Sequence, residues 1–162
     1  MTCYFLSWNV RGLGKMEKVR GVSRTIKSSK ARVTFLQEPK LSVVKPRMIE
    51  RLRNRMFGEA AVIPSEGASC GLISMWDTNF FALEKKTELR KCLVLVGSLT
   101  QWKIKVGLIN VYAPNIQSER KEFFDRLAES IESLGLPILI GGDFNTVKVE
   151  GEKVEWSPIR AR

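Results

Sequence analysis

The sequence predicts an α/β chain of about seven strands and three helices. Three observations carry this. The chain opens strand–helix–strand over residues 3–38. Several strands are apolar throughout, as expected where both faces of a sheet are covered. A final helix–strand unit ends in the run "PILIGGDFNT" (137–146), where a buried strand delivers an acid and an amide to its own tip.

The elements follow in order. "CYFLSWNV" (3–10) reads as a buried strand broken by "RGLGK". Residues 15–30 form a helix with Met16, Val19, Ser23 and Ile26 on one face and Lys18, Arg20, Arg24 and Lys27 mostly off it. "RVTFLQE" (32–38) is the next strand, stopped by Pro39. A helix from Pro46 to Phe57 has proline in its first turn and Gly58 beyond its end. It places Met48, Leu52 and Met56 on one side and repeats Arg47, Arg51 and Arg55 at i, i+4, i+8 as a basic stripe. "EAAVIP" (59–64) and "CGLISMW" (70–76) are strands around the turn "SEGAS". Residues 91–100 and 102–112 read as an antiparallel pair. A third helix covers 118–134, with Ser118 as its cap, Phe124, Leu127, Ile131 and Leu134 as its buried stripe, and Gly135 and Pro137 as its stop. No linker or internal repeat divides the chain. Residues 1–147 read as the folded unit and 148–162 as a charged, weakly structured tail.

Composition narrows the chemistry. The 162 residues include no histidine, which excludes imidazole mechanisms within them: Ser-His-Asp triads, Cys-His pairs and His-ligated zinc. Cys3, Cys70 and Cys92 are odd in number and far apart, so they predict neither a zinc site nor a disulfide framework but buried or semi-buried thiols in a reducing compartment. No apolar stretch approaches a membrane span, and no signal-peptide pattern opens the chain. The expectation is a soluble intracellular protein. Nuclear residence suits DNA as a partner, although no dense Lys/Arg run marks a nuclear signal.

The net charge of +10 is unevenly placed. Residues 1–58 hold 14 basic and 3 acidic residues, a net of +11, while the remainder is close to neutral. Local excess of this kind attracts polyanions, nucleic acid above all. The arginine stripe fits phosphates and fits a solvated helix face equally well.

Several strands end in polar residues: Asn9, Glu38, Tyr112, and Asp143 with Asn145. Each singly suits a turn, a surface salt bridge or a wet-edged core aromatic. Together on one rim they would supply two carboxylates, two amides and a phenol. Carboxylates bind hard cations such as Mg²⁺, which retains open positions for water and phosphate. Amide and phenol groups donate to non-bridging oxygens of a transition state. An ionised Asp orients or deprotonates water. The set suits hydrolysis of phosphoesters.

"SWNVRGLG", "FLQEPKL", "GLISMW", "NVYAPN" and "GGDFNT" occur in an order and spacing that resembles the endonuclease/exonuclease/phosphatase family, over residues 4 to about 147. The wording is most similar to the endonuclease domain of LINE-type (non-LTR) retrotransposons. The resemblance implies a DNase-I-like fold: a two-sheet β-sandwich flanked by helices, with the polar strand ends at one end of the sandwich. It implies Glu38 as principal ligand of Mg²⁺ (or Mn²⁺) assisted by Asn9, and Tyr112 at the scissile phosphate. It implies Asp143 on the nucleophilic water, with Asn145 supporting both. DNA is the implied partner.

The family pattern normally continues with another Asp-containing segment and a terminal Ser-Asp-His-like motif. Residues 148–162 contain neither Asp nor His. The expectation is therefore a C-terminally truncated member, inactive or weakly active, since loss of a positioned acid/base costs about 10²- to 10⁴-fold. Omitted strands would leave open sheet edges and invite self-association. Two other readings fit the same residues: a non-catalytic nucleic-acid-binding remnant, and a phosphatase acting on a phospholipid or small molecule.

Overall fold

The computed structural model describes residues 3–66, 71–89 and 91–146. Cys70, part of the "SEGAS" turn and the 148–162 tail lie outside the described residues. The described residues form two four-stranded sheets that stack face to face. The first has the order β1 (Phe5–Asn9), β2 (Val33–Gln37), β4 (Leu72–Asp77), β3 (Phe57–Ile63). The second has the order β5 (Phe81–Leu89), β6 (Cys92–Leu99), β7 (Ile104–Tyr112), β8 (Ile138–Asp143). Helices α1 (Met16–Ser29) and α2 (Pro46–Leu52) cover the outer face of the first sheet, and α3 (Gln117–Leu134) covers the second. The two-sheet sandwich flanked by helices is thus as expected.

Three apolar cores correspond to the three interfaces between layers. Between the sheets lie Phe35, Leu72, Trp76, Phe81, Leu95 and Leu108. Val19, Val22 and Ile26 of α1 meet Leu36, Ile73 and Met75 under the first sheet's outer face. Leu127 of α3 packs with Val94, Ile109 and Val111. β2 and β4 are buried at every position, which explains their uninterrupted apolar reading.

The structure corrects several local expectations. β1 and β8, read as buried strands, lie at sheet edges and have no fully buried position. α2 ends at Leu52 rather than Phe57, because buried Phe57 joins β3 and pairs with Asp77 of β4. Met56 is therefore exposed, and Arg55 lies beyond the helix that was to carry it. Met16 is exposed at the start of α1, and Val22 joins the buried stripe instead. α3 begins at Gln117 after Ile116, with no side-chain cap, so Ser118 lies inside the helix. Gly135 does close it, at φ 59°. An eighth strand, β5, escapes the apolar pattern because "LEKKTEL" sits on an edge with most side chains in solvent. Its charges and a bulge between Leu83 and Lys85 blunt that edge against further pairing.

A buried polar group joins the two sheets within their apolar interface. Asn110 of β7 is fully buried. Its amide nitrogen donates to Ile73 O and Ser74 Oγ, both at 3.1 Å, on the first sheet. Its Oδ1 accepts from Gln37 Nε2 at 2.7 Å. Two glycines of β8 allow close approach on either side. A Cβ on Gly141 would press on Phe35 and Ser7 of the facing sheet, and one on Gly142 would run into the Val111 carbonyl of the paired strand.

Asn110→Ala leaves one N–H of the Gln37 amide without its buried acceptor, the other remaining on Ser7 Oγ at 3.2 Å. A buried unsatisfied group costs about 1–3 kcal/mol, so the variant should unfold at lower urea concentration. The dependence on urea should keep its slope, because the surface exposed on unfolding is unchanged.

Candidate active site

Strand direction gathers the polar strand ends. β1 and β2 run parallel, with Asn9 opposite Gln37, so Asn9 and Glu38 leave the first sheet on the same side. β7 and β8 also run parallel, with Tyr112 opposite Asp143. Backbone bonds then tie the loop after β1 to the loop after β2: Gly12 N donates to Glu38 O at 2.6 Å and Leu13 N to Pro39 O at 2.8 Å. With the sheets stacked, the two pairs of strand ends meet.

The side chains form one connected cluster. Asn9 Nδ2 donates to Asp143 Oδ2 at 2.6 Å and to Glu38 Oε1 at 3.1 Å. The Tyr112 hydroxyl donates to the same Glu38 Oε1 at 2.7 Å. Asn9 Oδ1 accepts from the Arg11 backbone N–H at 3.0 Å, which fixes the amide so that its nitrogen faces the carboxylates. Asn145 joins through its backbone N–H, which donates to Asp143 Oδ1 at 2.9 Å. Its side-chain amide turns back to Ala113 O at 2.7 Å, and Arg120 Nη1 clamps the Asn145 carbonyl at 2.9 Å.

Four of the five strand-end residues thus share a hydrogen-bonded cluster, and Asn145 supports it from the backbone. Arg47, Arg51 and Arg55 are not part of it: all three are exposed, and the last two line grooves beside α2. Sequence reading missed three cations around the rim. Lys40 Nζ lies 3.4 Å from Glu38 Oε2, Lys91 Nζ lies 5.7 Å from the centre of the Tyr112 ring, and Arg120 holds the Asn145 loop. Lys40 follows Glu38 closely in "QEPK", a proximity that was visible; Lys91 and Arg120 carried no signal.

Backbone strain concentrates here. Among the described residues seven non-glycine residues have positive φ, and five of them surround the cluster: Arg11, Glu38, Lys40, Lys91 and Asn145. Each such conformation costs on the order of 1–3 kcal/mol and persists where surrounding contacts enforce it.

The electrostatics favour an ionised Glu38. Burial pushes its carboxyl up, but the Tyr112 hydroxyl, the Asn9 amide and the Lys40 ammonium together outweigh burial and hold it below its ordinary 4.5. The oxygen set is of the kind Mg²⁺ takes. Among the described residues no group of three or more His, Cys, Asp or Glu is gathered. Mg²⁺ needs only one or two carboxylates where water and phosphate complete its shell. Glu38 Oε2 takes the Lys40 ammonium as a positive partner at 3.4 Å, so a metal ion held at that oxygen would displace this lysine.

The model of the Endonuclease/Exonuclease/phosphatase family matches residues 6–162. The chain belongs to the endonuclease/exonuclease/phosphatase family. Within the curated proteins it is similar to an uncharacterized 149 kDa protein of transposon TX1 from Xenopus laevis. That match is 31% identical over 84 residues and covers 48% of this chain and 6% of that protein. The family fold recurs in TDP2 from Caenorhabditis elegans at TM-score 0.66 and 20% identity, covering 94% of this chain and 50% of that one. It recurs in a mannosyl-6-phosphatase from Bacteroides thetaiotaomicron at TM-score 0.66 and 15% identity, covering 89% of this chain and 66% of that one. The chain thus spans about half of the TDP2 structure.

The lowered Glu38 value has a definite sign. Its stabilising effect is fully present above 4.5 and is lost as pH falls through the folded-state value. In metal-free protein, a carboxyl-carbon NMR titration should place Glu38 below 4.5, and Tyr112→Phe should move the midpoint upward. A midpoint indifferent to that hydroxyl would contradict the cluster geometry.

Proposed function

We propose that the Glu38–Asn9–Asp143 cluster hydrolyses phosphodiester bonds of DNA with a divalent cation. The observation that carries this is the Asn9 amide bridging two carboxylates from different sheets, at 3.1 and 2.6 Å. Divalent-metal dependence is general in the family. Glu38 would hold Mg²⁺ or Mn²⁺, which supplies charge stabilisation at a phosphoryl oxygen. In the arrangement described, Asn9 presents N–H groups to the site, so its role is to orient both carboxylates. Asp143, anchored through Oδ1 to the Asn145 N–H, directs its other oxygen to the attacking water. The Tyr112 hydroxyl donates to Glu38 Oε1 in the arrangement described, and would turn that proton to a non-bridging phosphate oxygen when substrate is bound. Asn145 and Arg120 act as positioning residues for Asp143.

The preference for DNA rests on the retrotransposon-like motifs, the similarity to a transposon protein and the basic first third of the chain. Nuclear residence would be consistent with that substrate. Without imidazole in these 162 residues, the rate should be lower by about 10²- to 10⁴-fold than with a positioned acid/base. The same absence supports a second reading, in which the domain binds nucleic acid without cutting it.

Nicking of supercoiled plasmid decides between them. Slow nicking is expected with Mg²⁺ and none with EDTA. Glu38→Ala and Asp143→Ala should each reduce it by at least about 10²-fold. Plasmid binding with no nicking would leave the binding-only reading. Nicking untouched by both substitutions would mean that this cluster is not the site. Release of phosphate from a phosphomonoester, with plasmid left intact, would reassign the site to phosphatase chemistry.

A further inference from the structure

A second feature stands apart from the carboxylates. α1 and α2 pack side by side, joined by a bond from Ser23 Oγ to the Arg51 carbonyl at 2.6 Å. Between them runs an open groove of about 830 Å³, whose walls include Arg20, Arg24 and Lys27 of α1 and Arg51 of α2. An adjoining groove of about 700 Å³ adds Arg53 and Arg55. The two share Lys27 and Glu50, so they form one surface with six cations and a single acid.

These cations differ from those elsewhere on the molecule. On β5, β7 and α3, Lys86, Lys105, Lys121 and Arg126 each form an ion pair with a neighbouring acid. Among the described residues none of the six groove cations forms a salt bridge, and neither does Glu50. Uncompensated like charges held close together repel each other and weaken the fold unless an anion neutralises them. The groove begins at Met16 and follows α1 to Ser28, about 18 Å at 1.5 Å per residue. Duplex DNA carries about one charge per 1.7 Å, so such a length faces several phosphates.

We propose that the α1–α2 groove is a phosphate-backbone track that binds duplex nucleic acid independently of the carboxylate cluster. Its contacts are to phosphates, so it binds without regard to sequence. A membrane surface is the weaker fit. The groove is concave, and among the described residues Met16 is the only exposed large apolar residue lining it, so little on it would insert among acyl chains.

The test is the salt dependence of binding to a labelled random-sequence 20-base-pair duplex, followed by fluorescence anisotropy. Each neutralised phosphate contributes about 0.9 to the slope of log K against log salt. Arg20→Ser/Arg24→Ser/Lys27→Ser should therefore reduce the slope by about 2.7. A matched variant, Lys105→Ser/Lys121→Ser/Arg126→Ser, removes the same charge from the other side and should change it far less. Binding is measured in EDTA, where no divalent cation is available for cleavage, so the result stands whether or not the plasmid is nicked. Circular dichroism melting shows that each variant is folded. Equal losses in the two triple variants would overturn the proposal in favour of net charge alone. Groove-dependent binding to phosphatidylserine vesicles with no binding to the duplex would overturn it in favour of a membrane.

Discussion

The contact between Gln37 and Asn110 governs the geometry of the whole molecule. It is a buried polar bond between two apolar sheets, where an unpaired amide is costly and a satisfied one fixes a single alignment. Sliding one sheet past the other by a residue would break it, along with the bonds from Asn110 to Ile73 and Ser74. Apolar packing between the sheets tolerates small slippage far better. Glu38 follows Gln37 directly, and Tyr112 lies two residues beyond Asn110, so this alignment brings the Tyr112 hydroxyl to the Glu38 carboxylate.

The strand ends were legible in the sequence because an apolar run that stops at a carboxylate or amide is a local pattern. Asn9, Glu38 and Asp143 announced themselves this way, Tyr112 did so as a phenol ending an apolar strand, and parallel pairing put them on one rim. Gln37 and Asn110 did not, since a polar residue inside an apolar strand gives no sign that its partner lies 73 positions away. β5 was illegible for the opposite reason: an edge strand with most side chains in water has the composition of a loop. The overlong second helix came from trusting periodicity across Phe57, where pairing with β4 overrode it. The arginine repeat was real as spacing, but its continuation to Arg55 required a helix that stops at Leu52.

The charge of the chain is organised in two ways. Around the cluster, Lys40 and Lys91 lie against Glu38 and Tyr112, so positive charge is held by particular anionic or aromatic partners. Along α1 and α2 the cations line an open surface with little acid among them. The first arrangement tunes individual groups at short range. The second produces a field felt at the distance of a Debye length, about 8 Å at physiological ionic strength.

The bond between Asn9 and Asp143 spans 134 positions in sequence. A loop of that length closes late, because the chain entropy must be surrendered before the contact rewards it. Each sheet can gather its own strands and still lack half of the cluster, since Asn9 and Glu38 belong to one sheet and Tyr112 and Asp143 to the other. The cluster is therefore a coincidence detector for the folded state. Partly assembled chains that expose apolar sheet faces do not at the same time bring Glu38 and Asp143 together.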